Sequence, residues 1–404
     1  MLAVLRQRNF ALLWTGQALS AIGDWILWIG LPFYIYTRTG STLATGAMFI
    51  ATTLPGLLVG SFAGVLVDQW DRRHVMLVAD LARTAITLFL LIALKPGALW
   101  LIYPLALLNA AIAQFFNPAK SALLPTLVKS EQLLNANALN SLSSDLAMLL
   151  GPPLGGLLIG LLGFRGSILL DAGSFLISAC CIFCCSPSHL PRPSGNGIRH
   201  TYREVWQQLR QDWVAGLQRI QHERVIGLIF IVMGIAMFGQ GIIFVLWAVF
   251  VQQVLQGGPW EYGWVQVAVA VGGLFGASIL GRLAIKRIPT WLIGSSGMLI
   301  GLLLFATYNL PSLRLILVLQ FMNGLAAVGF FVPSETLLQQ AVSDTYRGRV
   351  FGTYQTTNAL LLLMGQGLAS ILGDRIGLVP MLNSSAILYF LSGTMALLLL
   401  ARQP

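Results

Sequence analysis

Charge is what this chain lacks. Of 404 residues only 9% are Asp, Glu, Lys or Arg, against 56% hydrophobic, and the mean hydropathy is +0.78. A water-soluble chain of this length carries about 25% charged residues, and no enlargement of a core absorbs such a deficit. A soluble globular domain is excluded; the composition is that of a polytopic membrane protein. Histidine and cysteine are scarce too. His74, His189, His200 and His222 are scattered and form no ligand cluster. The four cysteines stand together in CCIFCC (Cys180, Cys181, Cys184, Cys185). Cys181 and Cys184 make a C-x-x-C pair, but they lie in a continuous apolar run where cysteine packs as a small hydrophobe, so no metal is expected. Phosphate-binding loops, nucleophile triads and metalloprotease motifs are absent from the sequence. Neither catalysis, a cofactor nor ATP-driven work is expected.

What is present is a series of long apolar runs. Crossing ~30 Å of hydrocarbon takes about 20 apolar residues, and lipid offers backbone groups no partners, so only helices or closed barrels can span. The runs are continuous rather than alternating, which predicts helices. Twelve are expected: 10–36, 44–67, 75–94, 99–116, 139–162, 166–185, 225–251, 264–285, 291–308, 313–331, 350–372 and 378–400. The first is too long for a signal-peptide core and contains Asp24, so it is expected to be retained.

Lys and Arg resist translocation, and their distribution orients the spans. With both termini inside, most of the 24 basic residues face the cytoplasm. Arg38, Lys95, Arg165, Arg314 and Arg375 fall outside, and Arg83 lies within a helix. The net charge of +10 has this origin and calls for no nucleic acid.

The stretch SPSHLPRPSGNG, 186–197, is the best linker in the sequence and parts six spans from six. The expected organisation is an N-terminal six-helix bundle (1–185), a cytoplasmic linker (186–224) and a C-terminal six-helix bundle (225–404). Within the linker, Trp206, Leu209, Trp213, Leu217 and Ile220 recur at helical spacing. They mark either an interfacial amphipathic helix or a connector packed on the inner ends of the bundles. The halves echo each other at an offset near 214 to 217 residues: Gly151-Pro152 with Gly365-Gln366, Pro118 with Pro333, Gly23-Asp24 with Gly239-Gln240. Two such halves enclosing a central site are the plan of many secondary transporters.

One knot of charge interrupts the apolar pattern: GVLVDQWDRRH, Gly64 to His74. Gly64, Leu66, Asp68, Arg72 and Arg73 resemble the loop between helices two and three of the major facilitator superfamily, with Gln69 and Asp71 departing from its pattern. Together with FFNPAKSALLP after helix four and RGRVFG before helix eleven, the chain most resembles the macrolide-efflux branch, which also includes siderophore exporters. The resemblance implies an all-α fold of two pseudo-symmetric six-helix bundles. It also implies a cytoplasmic gate of Gly64, Asp68, Arg72 and Arg73, with Asp68 facing the positive N-terminus of helix eleven and Glu335 as the acid opposite Arg72. AMLLGPPLGG in helix five resembles the exporter signature through Gly151, Pro152, Gly155 and Gly156, with Ala147 in place of its first glycine. Gly56, Gly60 and Gly64 form a ladder along helix two that would let helices touch closely in lipid.

A charge at membrane depth costs roughly 2.5–3.5 kcal/mol or more, so each one calls for a reason. Asp24, near Trp28, is expected either to take up a proton and contact substrate or to pack as a neutral acid between helices. Asp80 and Arg83 share a face of helix three, and with Asp145 of helix five they are expected to form a buried charge cluster, chiefly structural, with proton coupling as the other reading. Asp171 is expected to reach interfacial water. Asn109, Gln114, Gln240, Gln320 and Asn323 lie on helices that line the cavity in the resembled family. The arginine that many proton-coupled exporters of that family carry in helix four is absent. The expected activity is export of amphipathic, drug-like or macrolide-like molecules by proton antiport, from a monomer in a bacterial inner membrane, contacting only substrate, protons and lipid. A siderophore or lysolipid-like cargo is the alternative.

Overall fold

The computed structural model describes residues 2–185, 223–282, 290–343 and 346–400, and those residues are helical with no strand among them. The linker at 186–222, with its expected amphipathic helix, lies outside the described residues. The spans are α1 (Arg8–Thr39), α2 (Thr42–Val67), α3 (Arg72–Ala93), α4 (Ile102–Leu127), α7 (Arg224–Gln253), α8 (Pro259–Arg282), α9 (Thr290–Asn309), α10 (Leu313–Ala341), α11 (Arg347–Ile376) and α12 (Leu378–Leu400). Between α4 and α7 runs one helical stretch, Leu133–Cys184, broken at Gly163, whose φ of 66° takes the backbone out of the helical region. A residue with a side chain is strained there, and glycine is not. The break divides the stretch into α5 (133–162) and α6 (164–184), giving the twelve spans expected.

Two ends differ from expectation. Pro118 and Pro333 were each expected beyond a helix, but α4 continues through Pro118 to Leu127 and α10 through Pro333 to Ala341. Proline removes one backbone bond, and packing carries both helices past that loss.

The chain forms two compact units: Met1–Arg38 with Ala51–Arg199, and Thr39–Ile50 with His200–Pro404. The division passes through α2. Its first turns belong to the second unit, where Asp374 near the end of α11 accepts the Thr42 N–H at 3.0 Å and the Thr42 hydroxyl donates to Ser370 O. Asp374 thus supplies an N-cap from another helix. Pro55 lies inside α2, four residues beyond Ala51, the residue at which α2 passes to the first unit.

The second unit is zipped by glycines. A β-carbon at Gly294 of α9 would stand 2.6 Å from the Leu397 side chain of α12, and one at Gly297 would stand 2.7 Å from Gly393. Gly272 and Gly324 bring α8 and α10 to backbone contact, and Gly241 and Gly365 do the same for α7 and α11. Lacking a hydrophobic drive between helices in lipid, such close approach supplies van der Waals attraction. The α2 ladder is looser within its own unit: Gly60 meets only the Gln114 side chain of α4, at 3.3 Å from where a β-carbon would be.

Candidate functional site: a shared arginine in the first unit

The face of α3 that carries Asp80, Arg83, Thr84 and Thr87 is buried, as spacings of three and four require of one helical stripe. Arg83 is its centre. Its Nη2 donates to Asp24 Oδ1 on α1, its Nε donates to Asn109 Oδ1 on α4 at 2.8 Å, and its guanidinium carbon lies 4.0 Å from the centre of the Phe175 ring on α6. Four helices meet on one guanidinium. The planar fork makes this possible, since several N–H groups point outward at fixed angles and the flat faces can stack on an aromatic ring.

Asp24 is the exposed end of the arrangement. Its side chain keeps 46% of its surface accessible, against 10% for Arg83. Neighbouring helices clamp α1 at this level. A β-carbon at Gly151 of α5 would come 2.5 Å from the Trp25 ring, and Gly155 leaves room for the Ile26 backbone. The glycines of the helix-five signature therefore seat the α1 segment that presents Asp24. Trp28 packs edge-on against Trp25, with ring centres 5.0 Å apart.

The expected cluster of Asp80, Arg83 and Asp145 is corrected in one member. Asp145 is exposed on α5 and does not pair with Arg83; Asp24 takes that place. Asp80 is buried at 1% exposure with neither carboxyl oxygen hydrogen-bonded. Asp171, expected to reach water, is also 1% exposed. The Thr87 hydroxyl donates to its Oδ2 at 3.4 Å, and its Oδ1 has no partner. A sequence signal for this existed. Asp171, Ser174 and Ser178 recur at spacings of three and four on α6, opposite Gly16 and Gly23 on α1, and small residues in register on two helices mark a close contact.

The other expected residues are dispersed. Gln114 donates to Ala110 O of its own helix. In the second unit Gln240 accepts from the Tyr389 hydroxyl at 2.7 Å, while buried Gln320 donates to Thr307 and accepts from Asn323. These amides join neighbouring helices or turns and bear no charge. A pocket of about 640 Å³ in the second unit is lined by Thr336, Gln339, Gln340, Val342, Arg347 and Phe351, none of them an expected substrate residue.

At the charged knot, Asp68 is exposed just beyond α2, Gly64 lies in the last turn, and Glu335 is exposed on α10. Two residues have roles the sequence reading missed. Asp71 caps α3 by accepting the His74 N–H at 2.9 Å. Arg73 donates from Nε to Ile182 O at 3.1 Å and from Nη2 to Phe183 O, holding the C-terminal end of α6 where helix carbonyls lack partners. Its fork is thus engaged inside the first unit, where it ties α3 to α6.

Twelve apolar spans among the described residues, with a charge site held among four of them, define an integral membrane protein. The family model described as Major Facilitator Superfamily matches residues 13–366 and, again, 229–404, and the chain belongs to that superfamily. It is 24% identical over 376 residues to Macrolide efflux protein A of Streptococcus pyogenes, covering 91% of this chain and 90% of that one. It is 28% identical over 377 residues to Multidrug efflux pump Tap of Mycobacterium tuberculosis (strain ATCC 25618 / H37Rv), covering 89% and 86%. The crystal structure of a bacterial homologue of the human lysosomal transporter Spinster matches with a TM-score of 0.71 at 13% identity, covering 96% of each chain. At that identity the likeness shows the fold alone.

Proposed function

We propose that this transporter exports amphipathic small molecules, drug-like or macrolide-like, from the cytoplasm of a bacterial cell in exchange for protons. The observation that carries the reading is the ion pair between half-exposed Asp24 and buried Arg83. An acid reachable from outside the packed helices and held by a buried cation can trade that cation for a proton or for a cationic group on a substrate. Only one of these partners is held at a time, which is what exchange requires. The names of the efflux relatives support the direction of transport, and the Trp25–Trp28 pair beside Asp24 suits a bulky, partly apolar cargo.

In this reading both termini face the cytoplasm of the inner membrane, the protein works as a monomer, and two bundles rock about a central cavity. Asp68, Arg72 and Glu335 latch its cytoplasmic side.

The test compares wild type with Asp24→Asn in inverted vesicles carrying the protein. Acidifying the vesicle interior should drive uptake of a lipophilic dye such as ethidium by wild type, and Asp24→Asn should lose that proton dependence. Equal proton dependence in the two proteins would remove Asp24 from the mechanism.

A further inference from the structure

Asp24 is not the only carboxyl attached to Arg83. From the guanidinium a chain of hydrogen bonds runs inward: Arg83 Nε to Asn109 Oδ1 at 2.8 Å, Asn109 Nδ2 to Thr87 Oγ1 at 3.5 Å, and the Thr87 hydroxyl to Asp171 Oδ2 at 3.4 Å. The donor sense is consistent throughout. The amide accepts at its oxygen and donates from its nitrogen, and the hydroxyl accepts once and donates its single proton. One end of the chain is the half-exposed Asp24 and the other is Asp171, at 1% exposure.

The surroundings of Asp171 sharpen the point. Its free Oδ1 faces Gly23 of α1, where a β-carbon would stand 2.6 Å away, and Gly23 is the neighbour of Asp24. The two acids therefore touch the same turn of α1, one by sequence and one by packing. Facing Asp171 are the charged groups Asp24 from α1 and Arg83 from α3. Asp80, on the same α3 stripe, faces Arg83 and Asp24; α4 contributes the neutral Asn109, and the glycine face of α5 against α1 adds no charge. Three carboxyls thus share one guanidinium, and only Asp24 and Asp171 are joined to it by hydrogen bonds.

We propose that Asp24 and Asp171 bind protons as one linked pair, each reading the other's state through Arg83, Asn109 and Thr87. Resting on the reading of Asp24 as the exchange site, this adds a second exchanging acid to it. A proton on Asp24 cancels the charge that held Arg83, and the guanidinium then draws on Asp171 as its counter-ion through the intervening amide and hydroxyl. A proton on Asp171 returns Arg83 wholly to Asp24. The linkage is reciprocal, as any binding linkage must be, and the two apparent midpoints belong to the pair.

Infrared difference spectra of the purified full chain in detergent, titrated with pH, follow carboxyl protonation with no substrate present. Wild type should show two carboxyl components assignable by loss in Asp24→Asn and in Asp171→Asn. Asp171→Asn should also move the remaining Asp24 midpoint to more acidic pH by about one unit, a tenfold change in proton affinity, because a competitor for Arg83 is gone. Thr87→Val, close to isosteric, should keep both components and displace their midpoints, and Thr87→Ser should restore them. An Asp24 midpoint unmoved by both Asp171→Asn and Thr87→Val overturns the pairing. Ethidium flux in proteoliposomes separates the two levels of the argument. Proton-driven flux in wild type, lost in Asp24→Asn, with the Asp24 midpoint unmoved by both Asp171→Asn and Thr87→Val, defeats the pairing and leaves antiport standing. Midpoints that move together in a protein without proton-driven flux defeat antiport and keep the pair.

Discussion

The first unit buries charged side chains among its serines and threonines: Asp80, Arg83 and Asp171 are buried, and Asp24 reaches in to pair with the arginine. In the second unit the buried polar side chains of the described residues are serine, threonine and glutamine. Their contacts include neutral pairs such as Gln320 with Thr307, and half-buried Gln240 pairs likewise with Tyr389. Glycine contacts at backbone distance hold that unit together. Two halves that share an echo in sequence have diverged in what they hide from lipid. Ionic groups can change state with pH, whereas amides and glycine zippers cannot. Among the described residues, the buried carboxyl and guanidinium groups lie in one half, while the other buries neutral side chains.

Substitutions can break or sharpen this contrast. The largest effect is expected for Arg83→Met, which leaves three carboxyls without their shared cation and should cost about 3 kcal/mol at neutral pH. Because a protonated carboxyl needs no cation, the deficit should shrink as pH falls, and thermal unfolding in detergent across pH would show the gap from wild type narrowing in acid. A pH-independent deficit would mean that packing against Phe175, not charge, is what Arg83 contributes. Gly272→Val comes next, at about 2 kcal/mol, by forcing a side chain into the α10 backbone; its loss of melting temperature should be equal at all pH values, unlike that of Arg83→Met. Gln320→Leu, which removes a neutral donor to Thr307 and the acceptor of the Asn323 amide, should cost about 1 kcal/mol and leave the pH profile of transport unchanged. The smallest effect is expected for Asp374→Ala, which removes the cap on α2 for about 0.5–1 kcal/mol. Its readout is faster amide hydrogen exchange at Thr42.

Much of the fold was legible because lipid imposes one rule, a long apolar run for each crossing, and twelve runs obey it. The break at Gly163 was legible as well, since the fifth and sixth runs stop on either side of it. Helix ends were harder: Pro118 and Pro333 read as terminators, and only tertiary contacts reveal that α4 and α10 run on. For the site, the stripe of Asp80 and Arg83 was visible from spacing, but its partners were not. Asp145 and Asp171 carry the same side chain at similar local hydropathy, and what separates them is which face of the helix turns inward. Reading the serines at 174 and 178 as part of the same stripe would have turned Asp171 toward α1. Arg73, expected at a gate, could not be assigned to the end of α6 without knowing where that helix finishes in space.

The split of α2 between units has a mechanical corollary. Proline at 55 has no N–H to offer the carbonyl of Ala51, so this long rod is missing a rung at the residue where its neighbours change. Torque applied to one portion meets the least resistance there. The stem of α2 can pivot at that point without rupturing any backbone bond that was present to begin with.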